Sequence, residues 1–368
     1  MRARLLRPVV VIMTVGLVAS LLVLDGAASA EPRKTLSQVQ AELDALETQA
    51  ETASEDFNAA EVDLARVNQQ IGQARVRVAR AEARVAAALQ ITDNIAARAY
   101  MSGGGGLESS LGLVLADDPN DFLQRIVAVQ QVARSQNVTL RRARAAQLQL
   151  GQAEAQLAQE QAAAAAAAAR MKQHRDEINH ALAQTKALLA QLQAADRRRL
   201  EALAAQQRAA SAAAAKRARE QAARAAASSS GASGGSGSSA APDPGSGSGR
   251  GMAAVRYALA QVGEPYSYNA KPPNSWDCSK LTTAAWAAAG VSLTPVSYAQ
   301  ANEVRRIPTS QLRPGDLLFY FNGAHHVAMY IGGGKLVEAA SPEHGVWVTD
   351  LWNSWSTAHF SFAGRPAG

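Results

Sequence analysis

The chain has 368 residues, 48% of them hydrophobic but only 5% aromatic. Alanine supplies much of the apolar share, so one large core through the whole length is excluded. The net charge of +6 is mild, and no dense basic patch interleaves with aromatics, which removes nucleic acid as a partner.

Residues 1–30 read as a signal peptide. Arg2, Arg4 and Arg7 precede an apolar run over 9–24, and Ala28-Ser29-Ala30 gives small residues before Glu31. The run is about 16 residues, short of the ~20 that span a bilayer, and an uncleaved anchor is the alternative. The expectation is secretion across the cytoplasmic membrane into the periplasm or cell wall. Cys278 is the single cysteine, so no internal disulfide forms. A lone thiol in an oxidising compartment is a liability unless it has a task.

Residues 31–227 read as a coiled-coil helical hairpin. From Leu36 the apolar positions follow a strict 3-4 spacing through Leu43, Ala50, Phe57, Leu64, Ile71, Val78 and Val85. The remaining positions are mostly Glu, Gln, Arg, Asp and Ala, which predicts a solvated face. Four glycines at 103–106 and the Asp117-Asp118-Pro119 turn break the pattern and place the hairpin tip at about 102–120. The second arm is predicted as one helix to about Arg224, with 195–225 solvated. At 1.5 Å per residue the arms reach roughly 100 and 150 Å, so the excess of the second must overhang, fold back or lie on a partner. Such a rod offers no catalytic cluster. Residues 228–250 are almost only Ser, Gly, Ala and Pro and predict a flexible linker.

Residues 251–368 hold all five tryptophans and six of the seven tyrosines, and predict a compact α+β domain. Helices are expected over 252–262 and 278–289, the second stopped by Gly290. Strands are expected over 317–321, 326–331, 335–339, 346–349 and 360–363, with a hairpin turn at Gly332-Gly333-Gly334.

Cys278 follows Asp277 and opens a helix. Free backbone N–H groups and the helix dipole there favour a thiolate, so the sequence predicts a nucleophile near neutral pH. Such a nucleophile needs a base, and His326 begins a strand 48 residues on. Glu338 lies 12 residues later on the neighbouring strand and can orient the imidazole. No metal-ligand spacing joins Cys278, His325, His326, His344 and His359, so no metal is expected, and nothing calls for a cofactor. Trp347, Trp352 and Trp355 read as core or cleft rim.

The segments Gly263-Glu-Pro-Tyr-Ser-Tyr, Trp276-Asp-Cys-Ser, Arg313-Pro-Gly-Asp-Leu and His326-Val-Ala-Met-Tyr-Ile-Gly resemble the NlpC/P60 cell-wall peptidases, over about 254–364. The whole arrangement resembles peptidoglycan hydrolases of the RipC, PcsB and CwlO kind. The resemblance implies a papain-like NlpC-type domain after a long antiparallel helical hairpin. It implies a cysteine endopeptidase that cleaves peptidoglycan stem peptides between D-glutamate and diaminopimelate, in wall remodelling or daughter-cell separation. Regulation would pass through the coiled coil and a membrane complex of the FtsE–FtsX type. Carried over residue by residue, Cys278 matches the nucleophile, His326 the base and Glu338 the variable third position. Tyr266 matches a cleft tyrosine that could hold the oxyanion, and Asp277 and Ser279 match substrate-side residues. Lys280 departs from the usual glycine, and either faces the stem carboxylates or is solvated. Two other functions keep their place: a Cys–His amidase cutting between muramic acid and L-alanine, and a non-catalytic wall-binding scaffold.

Overall fold

The computed structural model describes residues 35–101, 119–192, 194–231 and 248–367. The expected signal peptide, residues 102–118 of the hairpin tip and residues 232–247 of the linker lie outside them. Helix α1 (Leu36–Met101) and helix α2 (Pro119–Gln191) pack along each other. Arg175 lies over Phe57, Arg170 pairs with Asp63 at 3.3 Å, and Arg84 bonds Gln149 at 3.0 Å. Residue numbers fall on α2 as they rise on α1, so the pair is antiparallel. Among the heptad positions Val39, Ala50, Ala53, Phe57, Ala60, Val67, Ile71, Ala74 and Ala81 are buried. The alanines let the backbones approach closely. Among the described residues no helix is long and apolar enough to cross a membrane.

The second arm is not one helix. It ends at Gln191, where the Leu192 N–H turns back onto the Leu189 carbonyl at 3.2 Å. Helix α3 (Ala194–Gly231) then starts with Asp196 in its first turn, where the helix dipole favours an acid. Nor is 195–225 a solvated helix. Ala204, Ser211, Ala215 and Ala222 recur on one face and are buried. Arg208 donates to the Glu343 carbonyl at 2.8 Å, and Arg219 Nε to that of Leu259 at 2.9 Å. The Val348 N–H donates to Ser211 Oγ at 2.7 Å. The excess length lies on the C-terminal domain, because short alanines and reaching arginines suit a close-packed face. α3 also runs past 228 into the expected linker.

The C-terminal domain is α+β. Helix α4 (Ser248–Ala260) and helix α5 (Cys278–Ala288) pack on one face of the sheet. A short helix α6 (Ser297–Glu303) leads into β1 (Val304–Ile307). The other strands are β2 (Leu317–Tyr320), β3 (His326–Gly332), β4 (Lys335–Ser341), β5 (Gly345–Asp350) and β6 (Phe360–Pro366), with helix α7 (Ser354–His359) between the last two. They form one antiparallel sheet in the order β1-β6-β2-β3-β4-β5. α6, β1 and α7 are additions to the sequence expectation; none carries a long apolar period.

Alternation along β3 sorts the layers. Val327, Met329 and Ile331 face the helices, where Val255, Leu259, Leu281 and Trp286 meet them. Ala328 and Tyr330 face the other way, among Leu318, Tyr320, Leu336 and Trp355. Gly345 has φ +68°, and a Cβ there would lie 2.5 Å from the Glu264 carbonyl oxygen. This close approach ties the start of β5 to the 264–266 segment, through Val346 N–H to Glu264 O at 2.9 Å.

Candidate active site

Asp277 opens α5 by a local rule. Its backbone is extended and its side chain accepts from the Lys280 N–H at 2.7 Å, which caps the helix. That places Cys278 on the first helical residue, 1% exposed. His326 stands at the start of β3 and shares its sheet face with Glu338 of β4. The His326 Nε2 lies 2.7 Å from Glu338 Oε2, and Trp347 Nε1 donates to the other Glu338 oxygen at 3.0 Å. Tyr320 and Trp355 wall the imidazole, with ring centroids 5.5 and 5.4 Å away. Sequence reasoning placed Trp347 and Trp355 at core or rim and missed both contacts, because the sheet register sets Trp347 opposite Glu338 and the short helix α7, which was not expected, carries Trp355 to His326.

The larger surprise is α1. Glu51, Ser54, Glu55 and Asn58 recur at helical spacing on the face expected to be solvated, and all four are buried. Glu51 holds His326 Nδ1 in a hydrogen bond. The Cys278 thiol donates to Glu55 Oε1 at 3.5 Å, and Ser279 Oγ donates to the same oxygen at 2.8 Å. The Ser297 N–H donates to the other Glu55 oxygen. Ser54 Oγ donates to the Tyr268 carbonyl at 2.6 Å, and Asn58 Nδ2 to Asp277 Oδ2 at 3.2 Å. The rod therefore does enter the candidate catalytic cluster, contrary to the sequence expectation. A polar stripe with Ser and Asn, in a rod otherwise surfaced by Gln, Arg and Ala, was the signal that could have exposed it.

The other expected site residues surround this plug. The Tyr266 hydroxyl is buried with no hydrogen-bond partner. Asp277 is occupied by its cap and Asn58, and Ser279 by Glu55. Lys280 Nζ donates to the Ala270 carbonyl at 3.0 Å and reaches Glu61 of α1 at 3.5 Å, so it is not solvated. His325 lies edge-on to Tyr298, away from the cluster.

The electrostatics follow from burying acids together. Burial pushes the Cys278 thiol well above its ordinary value, and Glu55, Glu51 and Asp277 push it further. The thiolate expected from the helix start is thus suppressed in this state. Glu55 is raised to about 8 by burial and then by Asp277, against the hydrogen bonds of Ser297 and Ser279. Burial alone would depress His326, but Glu51 and Glu338 outweigh it and push the imidazole to about 10. A cavity of about 360 Å³ remains beside His326 and Glu338, bounded by Asp44, Glu47, Gln207 and Trp347.

The description of the NlpC/P60 family matches residues 263–365. Over 325 residues the chain is 31% identical to a probable endopeptidase of Mycobacterium tuberculosis, covering 82% of this chain and 83% of that one. The chain belongs to the NlpC/P60 family. It is a cysteine peptidase. The alignment is longer than the C-terminal domain, so the likeness to that relative extends into the helical region. The peptidoglycan endopeptidase RipA of Mycolicibacterium smegmatis is 36% identical over 119 residues, 28% of this chain and 24% of RipA. The solved structure of the peptidoglycan hydrolase RipB of M. tuberculosis is 26% identical, covers 42% of this chain and 84% of its own, and has a TM-score of 0.31. In this NlpC/P60 chain the candidate Cys–His–Glu group is assembled, and two glutamates of the first helix sit on it.

Proposed function

We propose that this NlpC/P60 peptidase is an exported peptidoglycan endopeptidase that its own first helix holds closed. The observation that carries the reading is the division of the candidate pair. Cys278 bonds Glu55 and His326 Nδ1 bonds Glu51, while Glu338 already holds Nε2.

With α1 withdrawn, His326 Nδ1 takes the Cys278 proton and the thiolate attacks the stem-peptide carbonyl carbon. The Cys278 N–H and the Tyr266 hydroxyl receive the oxyanion. Protonated His326 gives its proton to the departing amine, leaving a thioester on Cys278. Water, deprotonated by His326, then releases the acid and restores the thiol. Glu338 fixes the imidazole and offsets its charge. Ser279 and Asp277 face the substrate once Glu55 and Asn58 leave. The D-glutamyl–diaminopimelate bond is the proposed target, in wall remodelling or daughter-cell separation. A membrane complex of the FtsE–FtsX type, engaging the helical rod, would supply the opening.

The test is a digest of purified peptidoglycan and soluble stem peptides by the full chain and by residues 248–368, read by mass spectrometry. New ends at D-glutamate and diaminopimelate are expected, faster with the fragment. Cys278→Ala should lose about 10⁴-fold or more, the scale of a removed nucleophile. Intact stems released from sugar would make it an amidase. Binding without products from either form would make it a scaffold.

A further inference from the structure

Three potential metal donors from distant parts of the chain meet where α1 enters the cleft, and a fourth borders one of them. Glu51, Cys278 and His326 each place one ligand atom within 4.8 Å of the others. Glu55 Oε1 lies 3.5 Å from the Cys278 sulfur. We propose that the closed site binds one zinc ion through Cys278 Sγ, His326 Nδ1, Glu51 and Glu55, so that the metal fastens α1 to the catalytic domain. This inference rests on the closed reading of the site given above.

The donor set suits zinc, which accepts thiolate, imidazole and carboxylate together in a tetrahedron. Bonds of about 2.0–2.3 Å put tetrahedral donors roughly 3.3–3.8 Å apart. Glu51, Cys278 and His326 lie close to that size already, and Glu55, which touches the Cys278 sulfur, would turn toward the other two donors to complete the tetrahedron. All four residues are 8% exposed or less, so a bound ion would be shielded from water.

The surroundings are those of a held metal site. A metal-bound histidine usually gives its other ring nitrogen to a carboxylate, and His326 Nε2 does so to Glu338, itself braced by Trp347. Glu55 is oriented by the Ser279 hydroxyl and the Ser297 N–H. Charge argues the same way. Glu51, Glu55 and Asp277 are buried together, with protonated His326 bonded to Glu51, while Lys280 stands 3.7 Å from Asp277 and spends its bonds on Ala270 and Glu61. A dication would take the place of the protons that neutralise these groups in the closed site. Binding would release the Cys278 thiol proton, the proton on Glu55 and the proton shared by His326 and Glu51. With α1 withdrawn only Cys278 and His326 remain, so zinc binding and helix docking must strengthen each other.

The full-length chain, kept reduced and stripped by a chelator, is titrated with Zn²⁺ by calorimetry and with Co²⁺ by absorption. One equivalent should bind, and cobalt should show a thiolate charge-transfer band with the strong visible bands of a tetrahedral site. Glu51→Gln keeps the shape of the side chain and removes a ligand. It should weaken binding by about 100-fold or more, beyond the 10–100-fold typical of an outer partner. Should that variant misfold, Glu55→Gln carries the same expectation. Absence of the thiolate band, or unchanged affinity in a folded variant, would overturn the zinc site. Alkylation of Cys278 by iodoacetamide in chelator separates the two claims. Slow alkylation without metal binding removes the zinc site alone. Alkylation as fast as in the urea-unfolded chain removes the closed site and the zinc site together.

Discussion

One helix behaves in two ways. Between Ala50 and Ala60 α1 is buried almost all round, its alanine and phenylalanine face on α2 and its Glu51-Ser54-Glu55-Asn58 face in the cleft. Farther along, Val76, Leu89 and Ile91 are each about half exposed, at 48–49%. The backbone and the heptad rhythm are the same in both stretches. What differs is the second face, and only the first stretch has chemistry to match on the other side. A long helix can thus pair with one partner over most of its length and fill a second site over two or three turns.

The comparison breaks most visibly if the cleft-facing acids are removed. Glu51→Ala with Glu55→Ala in the full chain should raise stem-peptide cleavage by about 10- to 100-fold, toward the rate of residues 248–368. The scale follows from losing several buried charge-assisted bonds at about 1.5–3 kcal/mol each, less the cost of the acids' own burial. Glu82→Ala, on the exposed stretch, should stay within twofold in the same assay.

Acidity should sharpen it next. In chelator, Glu55 is held at about 8 in the closed state, against 4.5 when freed. Glu47, raised to about 7 by burial and then by Glu343, and His326, raised to about 10, act in the same direction. The closed state binds protons that the open state gives up. Its advantage from Glu55 is complete below about pH 4.5 and is lost as pH rises through about 8. The ratio of full-chain to fragment activity should climb with pH, by up to about tenfold per unit for each proton released. A flat ratio from pH 5 to 8 would break the link between these acids and closure.

The smallest effect separates holding from closing. Trp347→Phe removes the bond to Glu338 and keeps the ring. Activity of the fragment should fall a few-fold, matching one neutral donor at about 1 kcal/mol, while the ratio of full chain to fragment stays unchanged.

The layer that brings Cys278, His326 and Glu338 together was legible because its cues are local. Asp277 as a cap fixes where α5 starts, the alternation of β3 fixes its faces, and Glu338 on the adjoining strand follows from one hairpin. The helix pair was legible from the 3-4 rhythm for the same reason. The plug was not, because Glu51 and Cys278 are more than two hundred residues apart and nothing within α1 names its partner. Polar residues on a second helical face read as solvated until a surface of matching donors is known. The course of α3 was hidden likewise: its buried residues are mostly alanine, which carries little hydrophobic contrast against an alanine-rich background.

The spacing of Glu47, Glu51 and Glu55 gives the plug a direction. Each lies four residues from the next, about one helical turn or 5.4 Å of travel. Were α1 to slide by one turn toward its C-terminal end, Glu47 would reach the place of Glu51, and Glu51 that of Glu55, and His326 and Cys278 would each still meet an acid. A slide of one turn the other way brings Glu55 to His326 but sets Ala59 against Cys278, and the sulfur loses its acceptor. Traction along the rod is therefore not symmetric: one sense of pull merely changes teeth, and the other disengages the gear.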